Sequence, residues 1–202
     1  MPLICEAFTT DKKIAISFDD GPDEKYTPEI LRILKQHNIN AAFFCIGKKI
    51  EGRESMLNQI SDNGHIIGNH SYSHHFWFSM FSSEQMISEL SNTDLRIKEA
   101  TGFRPQLFRP PYGVTNPNIR KAVEAGNYKA IGWSVRSMDT VIKNKQKLLG
   151  RLIDAIRPGA VFLFHDTSEI TVSVLPQFLN EVQSKGYSIE RLDHLLNLKA
   201  YV

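Results

Sequence analysis

Hydrolysis assisted by a metal needs ligands for the ion, a base, an acid and a counter-charge, and five short clusters in this sequence hold such groups. They are Ser17-Phe18-Asp19-Asp20-Gly21-Pro22, His70-Ser71-Tyr72-Ser73-His74, Arg109-Pro110-Pro111-Tyr112-Gly113, Trp133 to Asp139, and Leu163-Phe164-His165-Asp166. His70 and His74 stand four apart, so a tight turn or short helix can aim both imidazoles at one ion. A carboxylate would complete a two-histidine, one-carboxylate set that leaves positions open for water and substrate. Asp19 and Asp20 both qualify. Neighbouring side chains in an extended segment diverge, so one can bind metal while the other meets the activated water. Asp20 is assigned to the metal and Asp19 to the base. Each cluster alone has a plainer reading: Asp-Gly-Pro is a turn at the end of a strand, and paired histidines can be surface groups.

An acid must protonate the leaving group. His165 suits that role, because imidazole titrates near neutral pH and a neighbouring carboxylate, Asp166 or Asp139, would raise its pKa. Arg109 can pair with Asp19 and orient it, or form an ordinary surface ion pair. Pro110-Pro111-Tyr112-Gly113 makes a stiff loop that could hold Tyr112 and its backbone N–H against a developing oxyanion. The aromatic stretch from Phe76-Trp77-Phe78 to Phe81 is a sugar-stacking lip or core packing, while His75 reads as a solvated neighbour.

These groups need elements to position them. Apolar runs of strand length alternate with helical patterns, the signature of repeated β/α units around a parallel sheet. About seven strands are expected, at residues 13–18, 41–46, 65–69, 107–109, 129–135, 160–164 and 187–190. The first helix is signalled by Thr27 as N-cap, Pro28 at its first position and Ile30, Leu31, Ile33 and Leu34 on one face. A longer helix over 83–101 stops at Gly102 and should bury Met86, Ile87, Leu90 and Leu95. Further helices fit 116–125, 145–156 and 174–185. Asp19, Asp20, His70, Arg109, Asp139 and His165 fall at or just past the C-terminal ends of five strands, which a barrel gathers at one mouth and an open sheet does not.

The 202 residues suit one domain; 42% hydrophobic and 23% charged is ordinary for a globular protein. Lys+Arg 24 against Asp+Glu 22 leaves +2, too balanced to argue for a nucleic-acid partner through bulk charge. Cys5 and Cys45 fit no metal or redox spacing and are expected to be thiols. No run approaches a membrane span and Met1 to Thr10 lacks signal-peptide features, so the chain as it stands reads as cytoplasmic, or extracytoplasmic if a leader or anchor once preceded it.

In order and spacing the five clusters resemble the polysaccharide deacetylase family, the NodB-homology or carbohydrate esterase family 4 enzymes, from about Lys13 to Leu196. The resemblance implies an α/β fold, a distorted (β/α)7 barrel, with residues 1–202 as a single NodB-homology domain. It implies one divalent metal on Asp20, His70 and His74, most often zinc, with cobalt, nickel or manganese also suited to such ligands. It implies hydrolysis of an acetamido group, or sometimes an O-acetyl group, on an oligo- or polysaccharide. By position Asp19 matches the family's base, Arg109 the arginine that places it, His165 the acid and Asp139 the carboxylate that tunes the acid. Tyr112 matches the residue whose N–H holds the oxyanion, and Leu163 a wall of the acetyl pocket.

The fourth cluster departs. Relatives typically read Trp-Ser-Val-Asp-Ser-x-Asp-Trp, whereas this chain has Trp133-Ser134-Val135-Arg136-Ser137-Met138-Asp139-Thr140. Trp133 is kept as a substrate-binding candidate, and the lost closing tryptophan removes part of the acetyl pocket's apolar wall. Arg136 adds positive charge at the mouth, where it would bind an anionic group on the substrate or pair with an acid such as Asp139. Two other readings stand beside the N-deacetylase: an esterase acting on O-acetyl groups, and a catalytically weak carbohydrate-binding protein that keeps the metal.

Overall fold

The computed structural model describes residues 3–202. Eight parallel strands form one sheet: β1 (Lys13–Asp19), β2 (Ala42–Cys45), β3 (Ile66–Asn69), β4 (Leu107–Phe108), β5 (Lys129–Ala130), β6 (Val135–Arg136), β7 (Val161–His165) and β8 (Ser188–Ile189). Their order is β5-β4-β3-β2-β1-β7-β6, with β8 beside the start of β1. Between them run α1 (Tyr26–Gln36), α2 (Gly47–Ile50), α3 (Glu54–Asp62), α4 (Ser83–Thr101), α5 (Pro117–Ala125), α6 (Lys145–Asp154), α7 (Glu169–Ser184) and α8 (Leu192–Leu196). The sheet curls into the distorted barrel expected of such units.

The expected strand over 129–135 is two strands. Its first part pairs with β4 and its last with β7, so the chain between them crosses from one end of the sheet to the other. Gly132 N–H bonds the Ile4 carbonyl on the way and Ser134 N–H bonds the Val161 carbonyl. No single ladder can serve a segment whose two ends have different partners.

Strand alternation divides inner from outer residues. Ile14, Ile16 and Phe18 pack outward with Phe43, Phe162, Phe164 and Phe178 under the helices. The intervening Ala15, Ser17 and Asp19 turn inward, as do Val161, Leu163 and His165 of the neighbouring β7. Both faces of these strands are buried, so the inner face can carry polar groups only where they find partners.

The helices correct several local expectations. Thr27 is not the N-cap of α1 but a buried residue of its first turn; Lys25 holds the cap position, and Asp23 Oδ1 accepts from the N–H groups of Lys25 and Tyr26. In α4, Ser82 and Gln85 form a reciprocal capping box and Gly102 closes the helix at φ 78°. Its inward face is Met86, Leu90, Thr93, Asp94 and Ile97, whereas Ile87 and Leu95 are exposed, one position off that stripe. Helix α7 begins at Glu169, five residues before the expected start.

Before β3, His65 is buried neutral: its Nδ1 accepts from the Ala41 N–H at 3.1 Å, and burial lowers its pKa from 6.5 to about 4. The unfolded chain therefore takes up a proton that the folded one refuses. Stability is expected to fall by up to about 3 kcal/mol as pH drops from about 6.5 to about 4. Urea midpoints across that range should show a slope that His65→Gln flattens.

Candidate active site

The C-terminal ends of β1, β3, β4, β6 and β7 enclose a cavity of about 260 Å3. Asp19, Asp20, His70, His74, Tyr112, Trp133, Arg136, Thr140, Leu163 and His165 line it. Every lining residue but Thr140 is among those singled out in the sequence for catalysis, metal or substrate.

Asp19 and Asp20 do not diverge as an extended segment would have them do. Asp20 sits at φ 75°, which breaks the alternation and turns its carboxylate to the same side as Asp19. Lys49 Nζ donates to the Asp20 carbonyl at 2.7 Å, and Ile46 N–H bonds Gly21, so α2 and the end of β2 hold that turn. Asp20 Oδ1 lies 3.5 Å from His70 Nε2 and 3.5 Å from His74 Nε2. A tetrahedral centre with bonds near 2.1 Å separates its ligand atoms by about 3.4 Å, so the donor set fits a divalent cation. His70 Nδ1–H donates to the Arg109 carbonyl at 2.7 Å, which leaves the Nε2 lone pair directed at the same point. Burial opposes ionisation of Asp20, but His70, His74 and His165 around it hold its carboxyl well below the usual range.

The two histidines reach that point through a turn rather than a helix, with Ser71 at φ 62° and His74 at φ 47°. Asn69 Oδ1 accepts from Ser71 N–H, Ser71 Oγ accepts from His74 N–H, and Glu89 Oε2 of α4 accepts from the N–H groups of Tyr72 and Ser73. Asn69 is itself fixed by donating to Asp94, whose other oxygen receives Tyr128 and Arg104. Sequence reasoning missed Asn69, Glu89 and Asp94. Asn69 ends an apolar strand beside His70, which was a usable signal; the other two act from α4 and left none.

Arg109 is fully buried, which removes the surface ion-pair reading. Its Nη1 donates to Asp19 Oδ1 at 2.7 Å and Ser17 Oγ at 2.8 Å, and its Nη2 to the Gly132 carbonyl at 2.8 Å. Asp19 Oδ2 is left facing the cavity, 3.7 Å from His70 Nε2. Across it, His165 Nε2 lies 4.0 Å from Asp20 Oδ2.

The partner of His165 is Asp139. Its Oδ1 accepts from His165 Nδ1 at 2.7 Å, and its Oδ2 from His165 N–H at 2.7 Å and Thr171 Oγ1 at 2.6 Å. Burial works against charging this imidazole, but the Asp139 carboxylate, helped by Asp19 and Asp20, outweighs it and raises the pKa. Asp139 is thereby saturated, so the expected Arg136–Asp139 pair does not form. Asp166 points away, receiving Thr27 Oγ1 at 2.6 Å, and burial pushes its carboxyl up to about 7. It packs where a Cβ on Gly21 would stand, so only glycine fits there.

Tyr112 lies at φ 60° in the turn after β4. The N–H groups of Gly113 and Val114 bond the carbonyls of Pro110 and Pro111, while that of Tyr112 has no protein acceptor among the described residues. Gly113, at φ 69°, lies against the Trp133 indole, where a side chain would collide. The aromatic stretch is divided: Phe78 is buried as an anchor, whereas Phe76 (67% exposed) and Trp77 (56%) face solvent, with Phe76 edge-on to Tyr112 at 6.0 Å.

Comparison with known proteins accords with this geometry. A family model described as polysaccharide deacetylase matches residues 7–131. The chain is 31% identical over 192 residues to the peptidoglycan-N-acetylmuramic acid deacetylase PdaA of Bacillus subtilis (strain 168), covering 93% of this chain and 73% of that protein. It is 30% identical to the peptidoglycan-N-acetylglucosamine deacetylase PgdA of Listeria monocytogenes serotype 1/2a over 96% of this chain, but spans only 41% of that relative. Among solved structures, the Bc1960 peptidoglycan N-acetylglucosamine deacetylase superposes with a TM-score of 0.92 at 27% identity, covering 98% of this chain and 94% of that one.

Proposed function

The chain belongs to the polysaccharide deacetylase family, and from that footing we propose that it is a metal-dependent hydrolase that removes acetyl groups from the N-acetylated sugars of a glycan, acting as one deacetylase domain. One observation carries the reading. A two-histidine, one-aspartate donor set lies between a carboxylate oxygen and a carboxylate-paired imidazole in a single cavity.

Asp20, His70 and His74 would hold the ion, zinc being the best suited of the divalent metals that accept such donors. When bound, such an ion supplies Lewis-acid activation of a water and of the acetyl carbonyl. Asp19 Oδ2 takes the proton of the attacking water, its orientation fixed because Oδ1 is tied to Arg109. The Tyr112 N–H, which has no protein acceptor among the described residues, is the donor for the developing oxyanion. His165, charged and backed by Asp139, delivers a proton from Nε2 to the departing amine. Leu163 and Trp133 wall the space for the acetyl methyl group. The substrate is an acetylated oligo- or polysaccharide, and the names of the relatives make peptidoglycan-type strands the first to try.

The test is acetate release by zinc-loaded protein from a panel of N- and O-acetylated sugars, with a chelated control. Release from N-acetyl sugars that chelation abolishes is expected. Release from O-acetyl sugars alone would make the protein an esterase, and binding without release would make it a lectin-like relative. The exposed pair beside Tyr112 adds a second expectation. Stripping its apolar faces, as Phe76→Ala with Trp77→Ala, should raise KM for a tetrasaccharide about tenfold. A single acetylated sugar, too short to reach the lip, should lose less.

A further inference from the structure

The cavity mouth carries positive charge that deacetylation as described does not use. Arg136, at the end of β6, lines the cavity beside Thr140 and is exposed. Two further cations hold the backbone of this wall without lining the cavity themselves. Arg151 Nη2, from α6, donates to the Arg136 carbonyl at 3.2 Å, and Lys143 Nζ donates to the Thr140 carbonyl at 3.2 Å. Among the described residues none of the three has a carboxylate within 4.0 Å. The obvious local acid, Asp139, is buried and saturated by His165 and Thr171. Glu169 lines a separate depression with Lys143 and Lys145 without closing on either as an ion pair.

Exposed basic residues are common and mostly solvated, but an arginine without an acidic partner that lines a catalytic cavity acts on whatever enters it, and two cations bonded to the backbone of that wall add to the local positive charge. A cleft focuses their field, and a guanidinium presents a planar fork matched to a carboxylate or phosphate. Resting on the deacetylase reading, we propose that Arg136, with Lys143 and Arg151 adding positive charge nearby, forms an anion subsite that selects acetylated sugars bearing a carboxylate or phosphate near the acetamido group.

The experiment compares kcat/KM of zinc-loaded protein on three probes: a neutral chitotetraose, peptide-free peptidoglycan strands with free lactyl carboxylates, and UDP-N-acetylglucosamine. A charged probe should be preferred, the preference shrinking as ionic strength rises, and which probe is preferred identifies carboxylate or phosphate as the anion. Arg136→Ala should lower the charged-to-neutral ratio about tenfold or more, Lys143→Ala severalfold, and Arg136→Glu should invert it. A ratio unchanged in all three variants overturns the proposal. If no probe releases acetate, the deacetylase reading falls instead. The same ratio, taken from dissociation constants by calorimetry, then decides the subsite by the same criterion.

Discussion

Asp19→Asn is expected to cut acetate release by about 10^2 to 10^4, the usual worth of a placed general base, while the three residues proposed to hold the ion remain in place. Asparagine keeps an oxygen for Arg109 Nη1 but cannot take a proton from water. Asp20, His70 and His74 are untouched by the change, so zinc content per chain should match the wild type. That comparison separates loss of the base from loss of the site. Activity within severalfold of wild type, with zinc bound, would remove Asp19 from the mechanism.

Arg109→Met should be the most destabilising single change in the site, at about 3–5 kcal/mol, and should abolish activity as well. The guanidinium ties together separate elements: Ser17 and Asp19 on β1, and the Gly132 carbonyl in the crossing between β5 and β6. It also lies 4.0 Å over the Phe44 ring on β2. Removing it strands the Asp19 carboxylate and a buried carbonyl without partners, and each unmet group costs its full desolvation. Arg109→Lys keeps a charge but not the fork, so it should recover part of the stability and little of the activity. Urea denaturation of the three proteins reads the order directly. An Arg109→Met midpoint equal to wild type would mean that the pair is energetically idle.

These two effects trace to features of different origin. The residue types that could do the chemistry, and their place at strand ends, were readable in the sequence because strand and turn signals act within a few residues. So was the Gly102 stop of α4, which depends on neighbours in the chain. Helix α3 was not read, since its inward face offers little beyond Leu57 and Ile60. The inward face of α4 was misjudged at Ile87 and Leu95 because apolar type alone does not say which side the sheet lies on.

The sequence by itself determined a β/α chain with metal-type donors, a spare carboxylate and a spare imidazole, since composition and short-range periodicity express those things locally. Only the tertiary structure decided how they combine. It gave His165 to Asp139 rather than Asp166, because β7 and the segment after β6 lie side by side while Asp166 faces Thr27 on α1. It brought Asp19 and Asp20 to one side through the left-handed turn at Asp20, held by Lys49 from α2. It split residues 129–135 between two strands, because β4 and β7 each claim one end. Each of these outcomes depends on hydrogen bonds between residues tens of positions apart, and such pairings are chosen by the curled sheet as a whole rather than by any stretch of chain alone.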